Sequence, residues 1–164
     1  FGTYQADYMK KFITYNSNPN SIFTGFDSFY GLPESWTTGF PKGTFNVDGQ
    51  IPKLSDKRVN FVKGYFQNTL PKYISENNFK DELIVHYDAD LFSSTLFCLL
   101  QIDRLKKNYT AIFDEFFPDE ANALKTYINI TGAKVEIIGK TLNLNAKVPR
   151  VVSCVIKPTK NFKC

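Results

Sequence analysis

The chain has 164 residues, of which 43% are hydrophobic and 22% charged, and its formal net charge is +4. This length is enough to bury a sizeable core, and we expect a single domain over residues 1–164. The basic residues are scattered and have acids nearby, which argues against a nucleic-acid-binding surface, and no apolar run is long enough to span a membrane.

The three cysteines indicate a reducing compartment. Cys98, Cys154 and Cys164 show no CxxC spacing, and the first two lie in apolar runs, where we expect them to be buried. We therefore predict a cytoplasmic protein. The chain begins at Phe1 without a methionine, which indicates a trimmed N-terminus.

Strand and helix signals alternate along the first half of the chain. Residues 1–7 are typical of a strand end that turns into a helix over 8–15. Short strands are predicted over 22–27 and 59–62. Between them, residues 28–54 are rich in glycine, proline and aromatic residues, a composition and length typical of a ligand-binding loop or lid.

The second half continues the alternation and then changes character. Residues 83–85 form a continuous apolar run, which predicts a strand buried on both faces of a parallel sheet. The remaining predicted elements are helices over 69–75 (with Pro71 in its first turn), 94–107 and 118–130, a strand over 111–114, and a terminal hairpin of runs 135–139 and 148–158. The order predicts an α/β fold, mostly parallel, with an antiparallel C-terminal hairpin.

Acidic residues follow two neighbouring strands of this sheet. Asp88 comes directly after the central strand, and Asp114 and Glu115 follow the next one. Ligands of open α/β sheets bind at these carboxyl ends. Three converging carboxylates fit a hard divalent cation such as Mg²⁺, whereas the absence of a Cys or His cluster argues against zinc. The alternative is that the acids stabilise the starts of the following helices.

Three further residues have a functional and a structural interpretation. Asp90 could be a base that takes a proton from a substrate hydroxyl, or an exposed acid of a turn. His86, the single histidine, could be catalytic or a satisfied core residue. Asp27 ends a strand where Rossmann-type folds bind ribose, although Gly2 and Ala6 form at most a depleted glycine loop and a full GxGxxG is missing.

Four blocks of the sequence resemble the macrocin O-methyltransferase (TylF/MycF-like) family. They are FDSFYGLP at 26–33, VKGYF with TLP at 62–71, HYDADLFSST at 86–95 and FDEF at 113–116, and they occur in family order. Members of this family are class I S-adenosylmethionine-dependent enzymes that methylate sugar hydroxyls with Mg²⁺. The resemblance covers most of residues 1–130.

The resemblance implies a Rossmann-like, three-layer α/β/α fold with a seven-stranded sheet whose last strand is antiparallel. Residues 1–4 would be the remnant of the first strand and its cofactor loop. Cofactor contacts would come from residues at the ends of several strands, namely Gly2, Tyr4, Asp27, Ser28, Gly64, Tyr65, Phe66 and Asp88. Ala6 and Tyr8 stand where this loop usually reads Gly-x-x-x-Gly, and the Cβ of Ala6 would crowd the methionine part of the cofactor.

The resemblance also implies the chemistry. Asp88, Asp114 and Glu115 would hold Mg²⁺, and Asp90 or His86 would take the proton from a hydroxyl of a sugar or small natural product. A homo-oligomer is possible. Two alternatives stay open, namely a degenerate methyltransferase fold that binds without catalysis and a nicotinamide-dependent oxidoreductase, which the missing GxGxxG disfavours.

Overall fold

A computed structural model describes residues 2–142 and 148–159, with side chains described at 7–141 and 148–159. The chain divides into two compact units, Phe1–Lys72 and Tyr73–Cys164. The single domain predicted from the sequence stays a prediction. Among the described residues, no helix has the length and apolar character needed to cross a membrane.

The N-terminal unit contains a helix and two parallel strands. Helix α1 spans Gly2–Tyr15, strand β1 Phe23–Asp27 and strand β2 Val59–Lys63. The strands pair in parallel register from Phe23 with Val59 to Asp27 with Lys63. Both predicted strands are confirmed, and both end in a charged residue at the same edge of the sheet.

The beginning of the chain differs from the prediction. Gly2 and Tyr4 lie in helix α1, so the interpretation of residues 1–4 as a strand and its cofactor loop is wrong over the described residues 2–4. Nothing from residue 3 to residue 15 interrupts a helix, since this segment has no proline and no further glycine. The described part of α1 is amphipathic, with half-buried residues at helical spacing: Tyr8, Met9, Phe12 and Ile13.

A single arginine donates hydrogen bonds to backbone carbonyls at the carboxyl end of helix α1 and just beyond it. The guanidinium group of Arg58 donates hydrogen bonds to the backbone carbonyls of Ile13 (3.3 Å), Asn16 (2.7 Å) and Asn18 (3.1 Å). It also pairs with Asp56 at 2.8 Å. Because the last carbonyls of a helix have no partner within the helix, these bonds join the end of α1 to the residue that precedes β2.

The predicted long loop contains no helix or strand, yet it is held by its own hydrogen bonds. Leu32 donates to the Thr44 carbonyl and accepts from Gly43, each at 2.9 Å. Gly31 has a φ of +78°, and a Cβ there would lie 2.2 Å from the Thr44 carbonyl oxygen, so only glycine fits. Trp36 packs against Phe40 with ring centroids 5.3 Å apart. The loop therefore has a defined shape.

Helix α2 spans Phe66–Glu76 and contains the boundary between the two units. It begins three residues before the predicted start, because the Tyr65 carbonyl already accepts bonds from Asn68 and Thr69 at 2.9 and 3.2 Å. Pro71 therefore lies inside the helix and not in its first turn.

The C-terminal unit has a four-stranded sheet in the order β3-β4-β6-β5. Its elements after α2 are β3 Ile84–Tyr87, α3 Phe92–Asp103, β4 Tyr109–Phe113, a short π-helical segment Phe116–Glu120, α4 Ala121–Thr131, β5 Lys134–Leu142 and β6 Pro149–Lys157. Strands β3 and β4 are parallel, whereas β6 is antiparallel to both β4 and β5. The α/β class and the terminal hairpin are confirmed; the three-layer arrangement and the seven-stranded sheet stay predictions.

Strand β3 is less buried than its sequence indicates. The side chain of Ile84 is 54% exposed, so the prediction of a strand buried on both faces is wrong. A run of three apolar residues does not by itself distinguish a central strand from one whose first residue lies at the surface. Gly132 ends helix α4 with a φ of +68°, as its sequence position predicts.

The core of the C-terminal unit is aromatic. Tyr87 stacks on Phe113 with centroids 4.8 Å apart, and the hydroxyl groups of Tyr87 and Tyr109 share a buried hydrogen bond of 2.9 Å. The Tyr127 hydroxyl donates to Asp103 at 2.7 Å. Cys98 and Cys154 are buried free cysteines, as predicted. Cys164 lies outside the described residues.

Candidate active site

The predicted ribose-binding residue lies in a tight turn at the end of β1. The Asp27 carboxylate accepts a hydrogen bond from the Phe29 backbone N–H at 2.7 Å, and its own carbonyl accepts from Gly64 at 2.9 Å. The Ser28 hydroxyl accepts from the Tyr30 N–H at 3.1 Å. Phe29 has a φ of +59°. These bonds fix Asp27 and Ser28 at the carboxyl ends of two parallel strands, where the prediction put them.

Gly64 follows strand β2 and has a backbone that other residues rarely adopt. Its φ is +144°, and a Cβ there would lie 2.7 Å from the Thr69 methyl group. Tyr65 comes next, and Phe66 is the first residue of α2. The structure thus brings Asp27 and Gly64 together at one edge of the N-terminal sheet. For Gly2 and Tyr4 the structure describes only the backbone, as part of helix α1.

In the C-terminal unit, the acidic turn Asp88–Ala89–Asp90 connects β3 to α3. Leu91 donates to the Ala89 carbonyl at 2.6 Å, and Asp90 has a φ of +55°. Asp90 is only 5% exposed, so its interpretation as an exposed turn acid is wrong. The N-cap of α3 is the apolar Leu91, and neither acid caps this helix through its side chain.

The end of β4 places further charges in the same unit. The Asp114 N–H donates to the Tyr87 carbonyl at 3.0 Å, which fixes the end of β4 against the end of β3. The Asp114 carboxylate is buried and lies 3.9 Å from His86 Nε2. Glu115 is partly exposed and pairs with Arg150 at 3.3 Å. Of the predicted site residues, the structure therefore brings together His86, Asp88, Asp90, Asp114 and Glu115.

Sequence reasoning missed Glu120, which precedes helix α4. Its side chain is fully buried, and neither carboxyl oxygen has a hydrogen-bond partner among the described residues. The backbone N–H of Ala89 lies near the carboxyl group and favours its ionised form, although its geometry falls short of a full hydrogen bond. The available signal was helical spacing, since Glu120 continues the row of buried α4 residues: Ala123, Leu124, Tyr127 and Thr131.

Burial and mutual repulsion raise the pKa values of these acids. Loss of hydration is the main cause, and neighbouring carboxylates add to it. The pKa of Asp88 rises to about 7 through burial, Asp114 and Asp90, and that of Asp90 rises to about 7 through burial, Glu115 and Asp114. Burial raises the pKa of Glu120 to about 9.

The histidine of the site is shifted in the opposite direction. Burial lowers the pKa of His86, and the nearby Asp114 carboxylate opposes the shift only in part. His86 is therefore neutral near pH 7, which leaves one of its nitrogens able to accept a proton. The carboxyl group of Asp90, with a pKa of about 7, also gains or loses a proton near neutral pH. The site thus holds two groups that can act as a base near neutral pH.

The predicted Mg²⁺ ligands are of the right chemical type, but the described residues do not hold them in a ready-made coordination site. Asp88, Asp114 and Glu115 offer only oxygen ligands, which Mg²⁺ prefers. However, among the described residues no three His, Cys, Asp or Glu side chains lie close enough together to hold a metal ion. The side chains would therefore have to move toward one another to bind one.

The sequence matches no protein-family model and no curated protein. The solved structures that are similar to it include two of CalS11. The first, a calicheamicin methyltransferase, has a TM-score of 0.62 and 22% identity and covers 88% of this chain and 64% of that one. The second, the apo form of CalS11, a TDP-rhamnose 3'-O-methyltransferase of calicheamicin biosynthesis, has a TM-score of 0.51 and 20% identity, with 88% and 63% covered.

These similarities concern the fold. The chain spans less than two thirds of the length of the CalS11 structures it matches. At this level of identity, a shared fold does not by itself carry an activity across. The macrocin O-methyltransferase resemblance stays a prediction, and the coarser conclusion is that this chain has the fold of a methyltransferase.

Proposed function

We propose that this chain is an S-adenosylmethionine-dependent O-methyltransferase that acts on a hydroxyl group of a sugar or a small natural product. One observation carries the proposal: an acidic turn with a half-buried Asp88, a buried Asp90 and pKa values near 7 follows a parallel strand in a fold similar to that of CalS11. A base that takes the proton from a hydroxyl during methyl transfer works best with this combination, because a pKa near the operating pH makes it a stronger base that is still partly unprotonated, and burial shields it from water.

Asp90 is the proposed base. The residue is 5% exposed, and its Oδ2 has no hydrogen-bond partner within the described chain, so this oxygen is available to accept a proton from an acceptor hydroxyl. His86 is the second candidate, since it is neutral and lies beside Asp114. The deprotonated acceptor oxygen would then take the methyl group, with the carbon–sulfur bond of the cofactor broken and S-adenosylhomocysteine as the leaving group. The protein would contribute to the rate mainly by holding the reactants together.

The cofactor would be bound by the residues at the carboxyl ends of β1 and β2. S-adenosylmethionine supplies an electrophilic methyl group when bound. Asp27 would accept hydrogen bonds from ribose hydroxyls, because its carboxylate is already oriented by the Phe29 N–H. The backbone at Gly64 has no Cβ, which permits close approach of a ligand there. Ser28, Tyr65, Phe66 and Asp88 complete the proposed set, together with Gly2 and Tyr4 in α1.

Magnesium dependence is part of the proposal and would rest on Asp88, Asp114 and Glu115. The support is electrostatic, because burial and the charge of Asp114 disfavour the ionised form of Asp88, and a divalent cation would reverse this. We also propose a small-molecule acceptor, a cytoplasmic location and possible self-association.

Binding and turnover test the proposal separately. Calorimetric titration of S-adenosylhomocysteine, with and without Mg²⁺, measures the cofactor site. Transfer of labelled methyl groups to nucleotide-linked sugars, with TDP-rhamnose among them, measures turnover. We expect Asp90→Asn to bind the cofactor product normally and to lose about 10²–10⁴-fold in kcat. Glu136→Gln on the exposed side of β5 is the matched control.

Three outcomes would contradict the proposal. Full turnover in Asp90→Asn would exclude Asp90 as the base and shift the assignment to His86. Binding of S-adenosylhomocysteine without transfer to any acceptor would favour a binding protein on a methyltransferase fold. Enhancement of NADH fluorescence without S-adenosylhomocysteine binding would favour an oxidoreductase.

A further inference from the structure

Lys63 ends strand β2 opposite Asp27 in the parallel register, and the proposed function gives it no role. Its ammonium group donates a hydrogen bond to the Gly49 carbonyl at 2.7 Å. The same group lies over the Tyr30 ring, 4.8 Å from the ring centroid. Lys63 therefore joins the sheet edge that carries the proposed ribose-binding carboxylate to two points of the long loop 28–54.

Backbone hydrogen bonds continue from Gly49 to Asp27. The Gly49 N–H donates to the Phe29 carbonyl at 2.8 Å, and the Val47 N–H donates to the same carbonyl at 3.3 Å. The Phe29 N–H in turn donates to the Asp27 carboxylate at 2.7 Å. Because Lys63 and Asp27 pair across the two strands, this series of hydrogen bonds begins and ends at neighbouring residues of the sheet.

The central residue of the series needs support from its surroundings. Phe29 has a φ of +59°, a left-handed conformation that is costly for a bulky side chain. Its ring is buried and packs edge-on against Phe61 of β2, with centroids 6.2 Å apart. The loop amides hold its carbonyl. Because the Phe29 N–H orients the Asp27 carboxylate, the contacts that fix Phe29 also fix that carboxylate.

Gly49 fits against Lys63 and Tyr30 only because it has no side chain. Its φ is +71°, and a Cβ there would clash with the Lys63 ammonium group and lie 2.7 Å from the Tyr30 phenol. Gly39 in the same loop has a φ of +91°, and a Cβ there would meet nothing within 4 Å. The two glycines therefore separate the contact with Lys63 from the strain of a positive φ.

We infer that Lys63 is a positioning residue of the cofactor site, which holds Gly49 and Tyr30 and so keeps the Asp27 carboxylate in the orientation that ribose hydroxyls require. The expected effect on cofactor affinity rests on the proposed function, whereas the series of hydrogen bonds does not depend on it. The proposed base, Asp90, belongs to the other compact unit. Loss of the Lys63 contacts should therefore weaken cofactor binding and leave the methyl-transfer step nearly unchanged.

Calorimetric titration with S-adenosylhomocysteine measures this effect. We expect Lys63→Met to raise the Kd by about 5- to 10-fold, as for the loss of one hydrogen bond. At saturating cofactor, kcat should stay within about 2-fold of the wild type. Lys57→Met, which replaces an exposed lysine of the same unit, is the matched control and should change the Kd by less than about 2-fold. Wild-type affinity in Lys63→Met would overturn the inference.

The two glycines supply a second comparison. Gly49→Ala should raise the Kd as much as Lys63→Met does, because its methyl group displaces the ammonium group from the other side. Gly39→Ala should leave the Kd within about 2-fold of the wild type, since its Cβ meets open space. Equal losses of affinity in the two alanine variants would overturn the inference, because backbone strain alone would then explain them.

A double-mutant cycle tests whether Lys63 acts through Asp27. Asp27→Ala removes the carboxylate that the Phe29 N–H orients, so adding Lys63→Met to it should raise the Kd by less than about 2-fold further. Additive effects would overturn the inference, since Lys63 would then act on the cofactor by another route. Where Asp27→Ala binds too weakly for titration, hydrogen exchange decides.

Hydrogen exchange in the free protein is a readout that needs no ligand. In Lys63→Met and in Gly49→Ala we expect the amides of Phe29 and Gly49 to exchange at least about 5-fold faster than in the wild type. The β1 amides should keep their protection, and Gly39→Ala should match the wild type. Unchanged exchange at both amides in Lys63→Met would overturn the inference, whatever the affinities.

These measurements also distinguish failure of the inference from failure of the proposed function. Should the wild type not bind S-adenosylhomocysteine, the proposed function fails while the exchange comparison still decides the role of Lys63. Should Lys63→Met not fold, the two alanine variants decide instead. Faster exchange at Phe29 in Gly49→Ala alone supports the inference, and equal exchange in Gly49→Ala and Gly39→Ala overturns it.

Discussion

The Arg58 cluster of the N-terminal unit consists of Arg58, Asp56 and the three carbonyls that Arg58 contacts, and its charges are paired. In the acidic turn of the C-terminal unit and beside it, buried carboxyl oxygens lack hydrogen-bond partners among the described residues. Arg58 satisfies its guanidinium with Asp56 and three backbone carbonyls, and it also lies over the Phe23 ring at 5.1 Å. Asp90 leaves one buried oxygen without a partner in the described chain, and Glu120 leaves two. The pKa of Asp56 is lowered, mainly by the side-chain hydrogen bond from Arg58, whereas those of Asp88 and Asp90 are raised.

The difference separates a structural charge from a functional one. A paired charge with satisfied hydrogen bonds joins segments that are distant in sequence, here the end of α1 and the start of β2. Unpaired, mutually repelling acids gain nothing for the folded state by themselves. They persist where a ligand or a reaction uses them, so clusters of raised pKa values indicate a functional site.

The largest effect should come from the acidic turn and should fall on activity. We expect Asp88→Asn to lower methyl transfer by about 100-fold or more while the melting temperature stays equal or rises, because one of several repelling carboxylates is removed. Labelled-methyl assays and thermal denaturation of the same samples measure both. A variant with full activity and a lower melting temperature would show that Asp88 is structural.

The Arg58 cluster should show the reverse pattern. We expect Arg58→Ala to give a clear fall in melting temperature, since Asp56 loses its ion pair and three backbone carbonyls each lose a hydrogen bond at once. Arg58→Lys should fall in between, because an ammonium group cannot reproduce the planar fork of the guanidinium. Thermal and urea denaturation measure the change. Unchanged stability in Arg58→Ala would remove the contrast between the two regions.

The two regions should also respond differently to pH. The folded-state pKa values of Asp88 and Asp90, about 7, exceed the usual value of about 3.9. The folded chain therefore holds protons that the unfolded chain releases, and stability falls as pH rises through this window. Asp56 has a lowered pKa, so its contribution is present above the unfolded value and is lost only as pH falls below it.

Thermal denaturation across pH, in EDTA, tests this difference. The melting temperature should rise as pH is lowered from about 8 to about 5, and the rise should be smaller in Asp88→Asn. Asp56→Asn should lower the melting temperature above about pH 4, where the charge of Asp56 contributes, and should differ least from the wild type at the acidic end of the profile. A profile that is flat between these limits in the wild type would contradict the raised pKa values.

The smallest effect should come from an ordinary surface pair. Lys157 and Glu136 are 3.0 Å apart on neighbouring strands, with side chains 46% and 65% exposed. Exposed pairs of this kind contribute about 0.2–1 kcal/mol, and salt screens them. Lys157→Ala should therefore change the free energy of unfolding by less than about 1 kcal/mol, and less still in about 0.5 M salt. A loss of more than about 1 kcal/mol in the free energy of unfolding would show that this exposed ion pair contributes more to stability than such pairs usually do.

Much of the fold and part of the site could be predicted from the sequence. Apolar runs that end in acids predicted the strands β1, β3 and β4 and the positions of Asp27, Asp88 and Asp114, because strand ends are marked by local composition. Gly132 predicted its helix end for the same reason. The macrocin O-methyltransferase resemblance added the roles of these residues, which spacing alone left open between metal binding and helix stabilisation.

The features that sequence reasoning missed are set by neighbours that are distant along the chain. The helical start of α1 was mistaken for a strand remnant because residues 2–4 carry no strong local preference. The burial of Asp90 depends on its left-handed turn, and that of Glu120 on how α4 packs. The burial of these two side chains therefore cannot be predicted from a window of a few residues.

Local composition thus determined where strands and helices lie and which acids follow them. Only the tertiary structure decided which acids are buried, which lack partners and which pKa values shift. The physical reason is that hydration and hydrogen bonding of a carboxyl group depend on the groups packed around it, here the Ala89 amide and the carboxylates of Asp88 and Asp114 around Glu120.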